Sequence, residues 1–161
     1  MDKPTDLYVD TSLIYEWCRR LMADEKCEDT DFVAFMRNHT EIRYFTSLIA
    51  IAELARKLLF EEKRVRDYKK NINTIWFVVS AFQESTGLRI IEHEKTGDAP
   101  LSFTDPDIIE LVARLEDVND SLHVCIAKHE SLTLVTHEDK FGRIKEFYPN
   151  IMTDRHLFKL F

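Results

Sequence analysis

The side chains of this chain best suited to chemistry are carboxylates. Asp10 closes an apolar run, Leu7-Tyr8-Val9. Glu53 interrupts another, with Ile51, Ala52, Leu54 and Ala55 around it. Asp120 opens a helical pattern, with Asp117 just before it. Glu138 and Asp139 follow the run Leu132-Thr133-Leu134-Val135-Thr136. Carboxylates brought together repel one another unless a cation compensates. An all-oxygen set suits Mg²⁺ or Mn²⁺ rather than zinc. Such a centre polarises a phosphate and lowers the pKa of a bound water, which is the chemistry of phosphodiester hydrolysis. Each acid also has an ordinary use. Asp10 and Asp120 suit helix caps, Asp117 suits a surface, and Glu138-Asp139 suits a turn. Glu53 fits a solvated face least well, because a charge amid apolar residues at the buried end of a helix needs a partner.

The elements that must position these acids follow from hydrophobic periodicity. Apolar, β-branched runs predict strands over 7–9, 42–46, 88–91 and 132–136, with a last strand within 151–161. Helices are expected over 12–22, from 29–31 to 38–40, over 47–66, 68–84, 108–115 and from 120, with a short one over 141–147. Thr11 or Ser12 is the expected N-cap of the first. Asp120 is the expected opening of the sixth. Gly87 suits a helix stop, and Thr104-Asp105-Pro106 a helix start. The two long helices over 47–84 predict a projecting hairpin, and 92–102 a loop. Strands alternating with helices imply an α/β fold, a mostly parallel sheet of four or five strands with helices on both faces. In such a sheet, strand C-termini and the helix N-termini that follow share an edge. Asp10, Glu53 and Glu138 or Asp139 therefore converge there. Asp120 joins them only if its helix presents that end to the same edge.

Composition bounds the rest. At 161 residues the chain fits one domain, 1–161, with a core of ordinary size. No apolar run approaches the roughly 18 to 20 residues that span a bilayer, and MDKPTDLYVD lacks a signal-peptide apolar region. The expected compartment is the cytoplasm. Three cysteines without CxxC spacing argue against a disulfide framework and a thiolate zinc site. The net charge of −7 argues against a broad basic surface for duplex DNA or anionic membrane. The basic residues of 57–70 could guide a nucleic-acid backbone, although such runs are more often solvated faces. The six histidines form no metal pattern and read as surface or packing residues, with His137, beside the acid pair, the one to watch. Three glycines cannot build a Gly-rich phosphate loop.

Four segments together resemble a known family. Leu7-Tyr8-Val9-Asp10-Thr11-Ser12 is similar to the opening strand of PIN domains, whose first acid is followed by Thr or Ser. Ser47 through Ala55 resembles their second element, with Glu53 one turn into a helix. Asp120 through Ala127, then Leu134-Val135-Thr136 and Phe141, resembles the third and fourth. The likeness covers nearly the whole chain and is nearest to VapC-like toxins. It implies a PIN-like three-layer α/β/α fold and a Mg²⁺- or Mn²⁺-dependent ribonuclease acting on RNA, held inactive by a cognate antitoxin and often a homodimer. By position it implies Asp10, Glu53 and Asp120 as metal-site acids, and Thr136 as the hydroxyl that orients them. Where the family carries a fourth Asp, this chain has Glu138, with Asp139 next to it, and either could complete the set. Thr11, Ser12 and Asp117 are expected to support it. The alternatives are a PIN-like RNA-binding or scaffold protein without turnover, and an RNA-processing nuclease outside any toxin pair.

Overall fold

A computed structural model describes residues 3–23, 28–60, 68–91 and 106–161. Five strands, β1 (Asp6–Val9), β2 (Arg43–Ser47), β3 (Arg89–Ile91), β4 (Thr133–Thr136) and β5 (Ile151–Thr153), form one sheet in the order β3-β2-β1-β4-β5. Every pairing is parallel: Tyr8 lies beside Phe45 on one side and Leu134 on the other. The strands are short and apolar because both faces are covered.

Alternation along β1 sends Leu7 and Val9 to one face and Tyr8 to the other. Leu7 and Val9 join a core built with α1 (Thr11–Met22), α2 (Asp31–Asn38), α3 (Leu48–Phe60), α4 (Tyr68–Thr86) and α7 (Asp154–Phe158). Tyr8 and Leu134 join a second core with α5 (Pro106–Leu115), α6 (Val118–His129) and a 3-10 helix (Asp139–Ile144). The architecture is a three-layer α/β/α fold.

Local chemistry explains the element ends, and several differ from the sequence expectation. Asp10, not Thr11 or Ser12, takes the N-cap position of α1, yet its carboxylate makes no capping bond. Thr30 caps α2, its hydroxyl accepting from Val33 N. Asp117, not Asp120, opens α6: its Oδ1 accepts from Asn119 N (2.8 Å) and Asp120 N (3.1 Å), which leaves Asp120 in the first turn. Gly87 ends α4 at φ +72°, and its N–H returns to Gln83 O (2.8 Å). The expected last strand is only three residues long. Thr153 then caps α7, accepting from His156 N, so the chain turns into a helix. The helix expected over 141–147 is the 3-10 turn, which begins two residues sooner.

α4 packs on α1 and α2 as well as on α3, with Phe82 edge-on to Trp17 at 5.2 Å. The pair is thus part of the helical layer rather than a projection from it. Its link, the expected loop over 92–102 and Cys27 lie outside the described residues. Cys18 and Cys125 are buried, as their apolar helical positions predict. Among the described residues no helix is long and apolar enough to cross a membrane.

Candidate functional site

The C-terminal edge of the sheet is where β1 hands over to α1, β2 to α3, and β4 to the 3-10 helix. Asp10 sits at the centre of that edge and is only 3% exposed. Its backbone N–H continues the ladder to Val135 O (3.0 Å), so the sheet itself holds its position. Its Oδ2 accepts from Ser12 Oγ (2.7 Å) and from Thr136 Oγ1 (2.8 Å). Both hydroxyls load the same oxygen, which turns Oδ1 towards His123, 3.9 Å away. Thr136 Oγ1 also accepts from Glu138 N (3.1 Å), tying the turn after β4 to the same acid.

Glu53 reaches the edge from the second turn of α3. Three groups meet its carboxylate: Thr11 Oγ1 (3.0 Å) and His123 Nε2 (3.1 Å) on Oε2, and Lys57 Nζ (3.0 Å) on Oε1. Burial acts to raise its pKa. The bonds from His123 and Lys57 outweigh it and hold the carboxyl down at about 2. Glu53 is therefore ionised and can only accept, so His123 Nε2 is the donor in their bond. The ring's other nitrogen faces the Tyr8 hydroxyl at 2.9 Å, and that hydroxyl meets Ser47 Oγ at 2.7 Å. Burial pushes the Tyr8 pKa up, so Tyr8 stays a phenol. Ser47 also accepts from Ala50 N (3.2 Å) at the start of α3. A buried chain of bonds, Ser47–Tyr8–His123–Glu53, thus runs from β2 through β1 and α6 to α3.

His123 is fully buried. The expectation of a surface or packing role missed its bond to Glu53. One signal was present: His123 lies three residues after Asp120, on the same helix face. His137, by contrast, turns to Asp154, with Nδ1 2.9 Å from Oδ2, while its N–H donates to Ser12 Oγ (3.3 Å).

Asp120 is 7% exposed. Its buried Oδ2 is paired with the Lys140 ammonium. Burial raises its pKa; Asp117 and Asp10 push the same way, and Lys140 opposes them. Lys140 also pairs with Glu138 Oε2 (2.7 Å). Asp139 is exposed at the start of the 3-10 helix, apart from these ion pairs. Of the two adjacent acids, Glu138 is the one gathered in.

Asp10, Glu53 and His123 each offer an atom within 4.8 Å of the others. His123 Nε2 is engaged by Glu53, so in this arrangement the ring orients a carboxylate. Asp10, Glu53 and Asp120 offer oxygen donors of the kind a hard divalent cation takes, although Glu53 faces Lys57 and Asp120 Oδ2 faces Lys140. Of the basic residues expected to guide a nucleic-acid backbone, Lys57 faces Glu53, and 61–67 lie outside the described residues.

No family model and no curated protein matches the chain. Among solved structures it is similar to PAE2754 from Pyrobaculum aerophilum, with a TM-score of 0.54 and 18% identity over 97% of this chain and 95% of that one. At that identity the likeness is one of fold.

Proposed function

We propose that this chain is a PIN-type, divalent-metal-dependent endoribonuclease. One observation carries the reading: Asp10 and Glu53, from separate elements, offer oxygens within 4.8 Å of each other at one sheet edge with low exposure, and the buried Asp120 carboxylate lies near enough to feel the charge of Asp10. The four-part sequence resemblance supports the same reading. A bound Mg²⁺ or Mn²⁺ would supply charge neutralisation at a phosphodiester and a water of lowered pKa. Asp10, Glu53 and Asp120 would hold it, with Glu138 within reach of the same space. Ser12 and Thr136 fix the Asp10 carboxylate, and His123 and Thr11 fix Glu53, so each acid is oriented before any ligand arrives.

The biological setting this reading favours is a toxin restrained by a cognate antitoxin, working as a homodimer in the cytoplasm. Trp76 and Phe77 stand exposed on α4, apolar surface of the kind that protein partners cover. The test is cleavage of RNA with Mn²⁺ by the wild type and by Asp10→Asn. Cleavage that Asp10→Asn abolishes is expected, and equal activity in the two proteins sinks the assignment. Growth arrest on expression, relieved by the same substitution, is the expected sign of a toxin.

A second reading, a PIN-like scaffold without turnover, is favoured by Lys57 and Lys140, which already balance part of the acid cluster. Its mark is a folded protein that binds no Mn²⁺ in calorimetry.

A further inference from the structure

We propose, on the metal-site reading above, that Lys140 is a built-in counter-ion of the acid cluster, which a divalent cation must displace in order to bind Asp120. Lys140 is the second residue of the 3-10 helix that follows β4. Its ammonium lies between two carboxylates, paired with Asp120 Oδ2 and with Glu138 Oε2 at 2.7 Å. The Asp120 side chain is 10% exposed, and the oxygen that meets Lys140 is buried. Lys140 thus holds the charge position that a metal bound to Asp120 would take.

The chemistry of the side chain suits displacement. A lysine ammonium is a compact, strongly hydrated charge on a flexible stem. The Lys140 side chain is 32% exposed, so its head can move into water while the 3-10 helix stays in place. Phe141, beside it, is buried and anchors the backbone of that turn. The fixed partner is Asp120, held in the first turn of α6 by Asp117. The arrangement is a rigid carboxylate facing a mobile cation. Without metal, the ammonium relieves the repulsion that Asp120 receives from Asp10 and Asp117. With metal, the same ammonium opposes a second positive centre a few ångströms away. Lys140 therefore stabilises the metal-free protein and weakens its affinity for metal, two effects that a purely packing role would not link. Lys57 differs: it sits one helical turn from Glu53 on the same helix and pairs with the oxygen that His123 leaves open.

The experiment is Mn²⁺ titration of the full chain by calorimetry, with thermal melts in the presence and absence of Mn²⁺. The proteins are wild type, Lys140→Met, Lys140→Gln and Lys140→Arg. Met keeps the stem and removes the charge; Gln does so with a polar end, and covers the case in which Met misfolds. Both neutral variants are expected to bind Mn²⁺ roughly tenfold or more tightly than wild type, from the loss of one nearby positive charge. They should melt at lower temperature than wild type without metal and gain more from it. Lys140→Arg should stay close to wild type. Equal affinity in wild type and the neutral variants overturns the counter-ion role and leaves the metal site standing. Weaker binding in the neutral variants also overturns it, since Lys140 would then be holding Asp120 and Glu138 ready for metal. No binding in any of the four folded proteins overturns both this role and the metal-site reading.

Discussion

His123 Nε2 donates to Glu53 Oε2 across 3.1 Å, joining α6 to α3 over a separation of 70 residues. The same imidazole reaches the Tyr8 hydroxyl with its other nitrogen. One ring therefore fixes both the direction of a site carboxylate and the polar balance of the central strand.

Replacing that ring should separate these two effects. His123→Leu leaves Glu53 with Thr11 and Lys57, and Tyr8 with Ser47. We expect a stability loss of about 1–3 kcal/mol from the disrupted buried bonds. We also expect Mn²⁺ affinity to fall roughly tenfold or more, the usual effect of losing a group that orients a ligand. Denaturant titration and calorimetry measure the two quantities. Unchanged metal affinity would show that Thr11 and Lys57 suffice to orient Glu53.

Thr136 offers a nearly isosteric test. Thr136→Val removes the hydroxyl that donates to Asp10 Oδ2 and accepts from Glu138 N. The part-buried Glu138 N–H loses its partner, and Asp10 keeps only Ser12. A loss of about 1–2 kcal/mol is expected in chemical unfolding, together with weaker Mn²⁺ binding. A variant as stable as wild type would mean that water replaces the hydroxyl without cost.

Stability should depend on pH through Glu53. Its folded pKa is about 2, below the ordinary value of 4.5. A depressed carboxyl contributes stability that is present above 4.5 and is lost as pH falls through 4.5 towards 2. The contribution at neutral pH is on the order of 3 kcal/mol, given a side chain that is 12% exposed. Asp120 acts in the opposite sense: its raised pKa destabilises the fold at higher pH and is relieved on acidification. Unfolding free energies of wild type and Glu53→Gln, measured from pH 7 to pH 2.5, should converge as the pH falls. Parallel curves would rule out Glu53 as the source.

Gly87→Ala probes the backbone alone. A Cβ at Gly87 meets nothing within 4 Å, but φ is +72°. The cost is therefore conformational, about 1 kcal/mol, at the end of a helix far in sequence from the site acids. A melt of the variant measures it, and Mn²⁺ affinity should not change.

The fold was legible because its signals are local and repeated. Leu7-Tyr8-Val9 and Leu134-Val135 are short apolar runs between helical patterns, and such runs take the buried strands of a parallel sheet. The convergence of Asp10 and Glu53 followed from topology, since both sit just past strand ends. Asp120 and Asp117 were harder to order. Both are acids at one helix start, and only backbone geometry decides which caps and which faces the sheet edge. His123 was missed because burial in α6 and a bond to a residue 70 positions away leave no local trace. Lys140 was missed for the opposite reason. Its partners are close in space, but a lysine in a polar turn reads as solvated.

The strand order also determines when the site can exist. β1 lies between β2 and β4, so Asp10 receives its ladder bond from Val135 and a hydroxyl from Thr136, more than a hundred residues later. During synthesis the first strand must wait for β4 before the centre of the sheet closes, a long-range closure of the kind that folds slowly. A growing chain still short of β4 already carries Asp10, Glu53 and Asp120, but it has neither the bonds from Val135 and Thr136 that fix Asp10 nor the Lys140 ammonium that balances Asp120.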